Sequence, residues 1–359
     1  MARRWRCAAV VSAAFLIAAT TTADASRGRL YAWGRAYWVA HGRLIAFSGV
    51  NSRDPHPASD ARLWMMNADG SGRRGPLRGD VLSPSGRRLA TTGDTGTAGI
   101  VGVNSLSGKP IRQFTIRIQA DGYGPVAWAP DERAVTVEVD AGPRVMIFVV
   151  DLRTGLLRSV SHVRSRADES AAWSPDSRHI AFISCATDES NCNLVLIARS
   201  GSGRKVVVSN IGVANTYGVE PVWAPSGRAI AFAIRFGNTR TRPATPHYPA
   251  YEEQRYGIYV VKPDGSALRR VAATPYMATD SDDPALAWSP NSRRIAFVDT
   301  RGITIVGISN GSHHRLTSLP RDVIRNNGVS WAPSARVLFS NRGDLYTAVP
   351  GQRPRRILP

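Results

Sequence analysis

The chain has 359 residues, 43% of them hydrophobic, which is enough to bury a substantial core in one large domain or two ordinary ones. Its formal charge of +19 rests on 43 arginines against three lysines (Lys109, Lys205 and Lys262), a skew that GC-rich coding alone produces. The charge therefore reads first as a solvated arginine-rich surface and second as attraction to polyanions such as anionic wall polymers or lipid head groups. Nucleic acid is the partner least supported, because no aromatic-flanked basic helix, zinc-finger spacing or RNA-binding signature accompanies the arginines.

The N-terminus has the layout of a secretory signal peptide over residues 1–25. Arg3, Arg4 and Arg6 form a basic head, Cys7 to Ala19 an apolar stretch, and Ala23-Asp24-Ala25 a small-x-small cleavage site. Thirteen apolar residues fall well short of the roughly 20 that cross a bilayer as a helix, so no transmembrane segment is expected after cleavage. Cys7 precedes the apolar stretch, which argues against a lipoprotein, while Arg3-Arg4 is a weak hint of twin-arginine export. Cleavage after Ala25 removes three arginines and Asp24, lowering the charge from +19 to +17.

Residues 26–359 form a single repeat domain. A stretch recurs as "LSPSGRRLAT" from Leu82, "WAPDERAVTV" from Trp128, "WSPDSRHIAF" from Trp173, "WAPSGRAIAF" from Trp223, "WSPNSRRIAF" from Trp288 and "WAPSARVLFS" from Trp331. A seventh, partial copy, "HGRLIAFSG" from His41, contains neither tryptophan nor proline. The first apolar residue after each turn falls at Ile45, Leu89, Val135, Ile180, Ile230, Ile295 and Val337, spaced by 44, 46, 45, 50, 65 and 42.

A second apolar run follows in most units ("VMIFVVDLRTG", "LVLIARSGSG", "IYVVKPDGS"), then a shorter basic or apolar segment such as "LRRVAA". Such runs, bounded by DG, SG and NG, read as antiparallel strands joined by tight turns. Four short strands per unit of about 45 residues is the arithmetic of a β-propeller blade. Seven blades are expected, with six as the alternative. The missing first strand comes from Arg29 to Val39 or from closure with the C-terminus. The recurrent tryptophan has the area to fill the gap between blades.

These residues resemble the repeats of TolB-type propellers, which also occur in the propeller domains of prolyl-oligopeptidase-like peptidases. The resemblance spans roughly residues 40–359, and six of the seven copies carry the proline turn. It implies the fold strongly and the function weakly. TolB adds an α/β domain ahead of its propeller, where this chain has only about sixteen residues between the signal site and the first repeat. The family also implies six blades, not the seven counted.

Catalytic signatures are sparse. The sequence contains no H-E-x-x-H and no phosphate loop. Of seven histidines only His313 and His314 adjoin, and neighbours on a strand point to opposite faces. Cys185 and Cys192, in "SCATDESNC", are expected to pair in an oxidising compartment. A metal site would want two further ligands nearby, and His179 is the only close candidate.

Two features are candidates for binding. The fifth unit carries an insertion, Arg235 to Gly257, with Arg240, Arg242, His247, Tyr248, Tyr251 and Glu252 among prolines; long loops on rigid scaffolds concentrate recognition, though some are merely tolerated. The second is a set of polar residues ahead of the inner strands: Asp80, Glu169, Glu220, Asp282, Asp283 and Asn327. They form either an acidic channel rim able to hold a divalent cation or basic peptide, or simply strand-initiating turns. No cofactor beyond that cation is expected. The expected protein is thus a monomeric secreted or envelope propeller, a non-catalytic scaffold for an envelope or extracellular protein or an anionic wall polymer. The alternative is a lyase or hydrolase acting on an acidic glycan with a metal in the central channel.

Overall fold

A computed structural model describes residues 30–51, 62–118, 120–142, 144–161, 163, 165–187, 191–211, 220–243, 251–274, 277–278, 285–299, 302–318, 328–341 and 344–358. The expected signal peptide lies outside the described residues. Among the described residues every strand belongs to one of seven antiparallel sheets, each formed by consecutive chain segments in sequence order, and the only helical piece is a single 3-10 turn at Ala40–Gly42. The sheets form a seven-bladed β-propeller.

The first and last strands of blades 1 to 7 are Leu30–Val39 and Arg74–Leu77, Val81–Leu82 and Pro110–Ile116, Gly122–Trp128 and Leu157–Ser159, Arg166–Trp173 and Lys205–Val208, Val222–Trp223 and Arg269–Ala273, Leu286–Trp288 and His313–Ser318, and Val329–Trp331 and Arg355–Leu358. First strands pack against the first strands of neighbouring blades and surround the axis; last strands form the outer edges. Because strands alternate in direction, the chain enters each blade on one face, here called upper. The hairpins between second and third strands return to that face, and the proline turns lie on the lower one.

Blade 1 refines the sequence reading. Trp38 faces Ile45 across its hairpin, as Trp128 faces Val135, Trp173 faces Ile180, Trp223 faces Ile230 and Trp288 faces Ile295. The first copy therefore does have its tryptophan, on Leu30–Val39, and the 3-10 turn replaces the proline turn.

The repeated tryptophan does more than fill space. Trp128 Nε1 donates to the Val81 carbonyl (3.4 Å), Trp173 to Ala127 (3.2 Å), Trp223 to Ala172 (3.1 Å) and Trp288 to Val222 (2.9 Å). Each acceptor is the residue before the equivalent position of the preceding blade, so the indole ties one inner strand to the next while its ring is buried. Leu82 replaces tryptophan in blade 2, and there the Tyr37 hydroxyl accepts from Leu82 N (3.0 Å).

The proline turns carry a second tie. Their fourth residue has positive φ, at 60° for Ser177 and 58° for Ser292, where glycine would avoid strain. The side chains serve a purpose: Ser177 Oγ accepts from Asp131 N of the preceding blade (2.9 Å) and Ser292 Oγ from Ser226 N (3.0 Å).

Each blade is one continuous stretch, so no strand is shared where the ring closes. Closure rests on Ala36, Ile45, Phe47 and Met66 of blade 1 packed against Leu338, Leu345, Ile357 and Leu358 of blade 7. The indole ties do not extend to blade 7: buried Trp38 Nε1 and Trp331 Nε1, at its two flanks, have no hydrogen-bond partner among the described residues.

Blade 4 holds the expected disulfide, Cys185 to Cys192, directly opposite one another on neighbouring strands. It closes the upper hairpin of that blade. Beneath it Asp168, fully buried, pairs with Arg204 (3.2 Å), which also donates to Ser184 Oγ (2.8 Å). No described helix is long and apolar enough to cross a membrane.

Candidate functional site

The second strand of blade 3, Ala134–Asp140, should be wholly apolar because blades pack on both of its faces. It carries Glu138 instead. Gly124, on the adjacent first strand, leaves the room: a Cβ there would approach the Glu138 Cβ to 3.3 Å. On the other side, the first strand of blade 4 bulges between Glu169 and Ala172, with Ser170 at φ 60°. The bulge turns the Ala171 amide toward Glu138, whose Oε1 accepts at 3.2 Å.

Two sequence-predicted rim residues, Glu169 and Glu220, bear on this group. Burial pushes the Glu138 carboxyl up to about 7; the charges of Glu169 and Glu220 push the same way, against the pull of the Ala171 and Ser170 amides. Three blades thus contribute one acidic cluster near the upper mouth. Glu138 titrates where ordinary glutamates are already ionised.

The remaining candidates divide. Asp80 is exposed and turned to its own blade, accepting from Thr92 N (2.7 Å) and Thr92 Oγ1 (3.2 Å). Asp282, Asp283 and Asn327 lie outside the described residues. Among the described residues no group of three or more His, Cys, Asp or Glu is arranged to hold a metal ion.

The blade 5 insertion is a continuation of the blade itself. Its second and third strands lengthen to Ile230–Arg242 and Tyr251–Val261, pairing Arg240 with Glu253, Thr241 with Glu252 and Arg242 with Tyr251 beyond a register shift after Phe236. Arg240 is exposed; His247 and Tyr248 lie outside the described residues. Arg255 and Arg270 stack on the Phe236 ring at 4.8 and 5.3 Å, stiffening the base of the hairpin. Met277–Ala278, on the way to blade 6, pairs with the third strand of blade 5, Tyr251–Val261. By strand direction this hairpin rises from the same upper face as Glu169 and Glu220.

Glu138 was missed by motif reading because it lies inside a strand. The available signal was a lone charge in "AVTVEV", a run otherwise suited to burial on both faces.

No family model and no curated protein matches the chain. Among solved structures, hydrazine synthase of Kuenenia stuttgartiensis superposes with a TM-score of 0.59 at 13% identity, over 94% of this chain and 99% of that one. An oligogalacturonate lyase in complex with manganese gives 0.55 at 14% identity, over 90% and 91%. TolB from Acinetobacter baumannii gives 0.45 at 17% identity, over 90% and 80%. The first two are likenesses of fold alone.

Proposed function

We propose that this chain is a TolB-like extracytoplasmic propeller, exported by a signal peptide cut after Ala25, which binds an envelope or extracellular protein through its upper face without catalysis. The observation that carries this reading is the blade 5 hairpin: two long paired strands on a rigid blade, rising beside the acidic cluster of Glu138, Glu169 and Glu220. A stiff projection beside a charged mouth suits a protein partner with a basic segment, because hairpin and mouth can be engaged together. The Cys185–Cys192 bond supports an oxidising compartment.

The test replaces residues 238–253 with Asn-Gly, a two-residue turn that recloses the hairpin. The mature chain and this variant are used to capture partners from the organism's own envelope extract at low and high salt. A protein retained by the former and lost by the latter, at equal thermal stability, is the expected result. Identical captured sets would refute the reading.

The position of Glu138 favours one second reading, a lyase or hydrolase acting on an acidic glycan. A carboxyl titrating at about 7 is poised for proton transfer at neutral pH. That reading requires a divalent cation in the channel, so calorimetry with Mn²⁺ on the native chain and on an Asp282→Ala/Asp283→Ala variant decides it. Equal heats for both proteins would eliminate the cation site.

A further inference from the structure

Charge is segregated across each blade. The seven last strands together hold nine arginines and lysines and no aspartate or glutamate. Each contributes at least one cation: Arg74, Arg112, Arg158, Lys205, Arg269 with Arg270, Arg315, and Arg355 with Arg356. These strands are the outer edges of the ring, so the cations form a belt around its circumference. A coding bias toward arginine raises basic content everywhere but does not clear acids from one strand in four.

The structure also shows how the belt is held. Arg112 donates to the Arg153 carbonyl (2.9 Å), Arg158 to the Ser200 carbonyl (3.2 Å) and Lys205 Nζ to the Asp264 carbonyl (2.7 Å). In every case the acceptor lies in the turn before the last strand of the next blade. A backbone carbonyl orients a cation without cancelling its charge, unlike a carboxylate. The pattern is not uniform: Arg315 and Arg356 pair with Asp299 (3.7 Å) and Asp344 (2.9 Å). Asp69 and Asp264 also sit in such turns, near Arg355 and Lys205. The cations with no carboxylate partner among the described residues therefore lie on blades 2, 3 and 5 (Lys109, Arg112, Arg153, Arg158 and Arg269), an arc bridged at blade 4 by Lys205, which Asp264 partly offsets. Along this arc lie the most exposed large apolar side chains among the described residues, Ile111 (53%), Leu156 (47%), Val206 (50%) and Leu268 (45%).

We infer that this outer arc is a second binding surface, for a flexible linear polymer carrying one oxyanion per repeat unit. Shape selects the ligand. A planar bilayer or a stiff duplex meets a convex edge at one or two blades, whereas a flexible chain follows it from blade to blade and collects every cation. Releasing its counterions drives binding, and the carbonyl-held cations give up little freedom in return.

Long-chain inorganic polyphosphate is the probe, with binding to the mature chain measured over a series of NaCl concentrations. Lys109→Glu, Arg153→Glu and Arg269→Glu reverse three exposed belt charges with no side-chain hydrogen bond among those described. Arg87→Glu, Arg133→Glu and Arg178→Glu make the same change of charge on the proline turns, at the inner end of each blade rather than its outer edge. The belt variant should lose at least tenfold in affinity, its salt slope falling by about 2, while the turn variant changes less than threefold. Equal losses in both variants would show attraction to bulk charge and overturn the inference. So would duplex DNA or anionic vesicles binding as tightly as polyphosphate with the same belt dependence. The hairpin-shortened chain should keep full polyphosphate affinity, so this surface and the upper face can fail separately.

Discussion

Glu138→Gln removes the buried carboxyl while keeping its volume and an oxygen able to accept from Ala171. The rise from 4.5 to about 7 means that the folded protein favours the protonated form by about 3 kcal/mol relative to the unfolded chain. Between those values the native state holds a proton that the unfolded state has released. Stability therefore falls as pH rises through this window, and the loss is complete above the upper value. From pH 5 to pH 8 this group should cost the native chain about 2.5 kcal/mol, a penalty the glutamine variant escapes. Urea unfolding of both proteins at the two pH values is the assay, because contributions from other groups largely cancel in the difference. A variant whose stability runs parallel to that of the native chain would refute the burial argument. Glu169→Gln is expected to shift the native transition toward lower pH, since that charge opposes ionisation of Glu138.

The inter-blade ties make a paired prediction: Trp173→Phe should cost about 1 kcal/mol for the lost bond to Ala127, while Trp331→Phe, whose indole has no acceptor among the described residues, should be close to neutral. Equal costs in urea would show that the rings matter only as volume. Arg204→Met leaves Asp168 buried without its cation and should destabilise by about 3–5 kcal/mol, read from the same unfolding curves. At the ring closure, Gly70 has φ +92° and a Cβ there would collide with the Ile357 carbonyl oxygen, so Gly70→Ala should lower Tm more than Gly203→Ala, which has φ +68° and open space. Reducing the Cys185–Cys192 bond should cost about 2 kcal/mol in thermal or urea unfolding, as expected for so short a loop.

Much of the architecture is local and was readable. The turn "SPDS" ahead of "RHIAF", repeated at spacings near 45, specifies an inner hairpin, and six such hairpins with the partial copy from His41 specify seven blades. The Cys185–Cys192 pairing was readable too, since seven residues and a hairpin bring them opposite. Trp38 escaped notice because the first unit replaces the proline turn with a 3-10 turn, leaving the tryptophan without its usual companion.

The upper-face cluster was only half legible. Glu169 and Glu220 stood out as polar residues ahead of apolar strands, but nothing near Glu138 in sequence announces that two later blades will bring carboxylates to it. The cationic belt shows the same limit: "LRRVAA" and "GRKVVV" look like ordinary basic turns until curvature sets them side by side on one edge. What the sequence by itself determined was the repeating unit, because period, turn chemistry and strand alternation act over a few residues. Only the tertiary structure decided which charges meet. That depends on the closing of the ring, which places residues 30 to 80 positions apart within range of one another's fields.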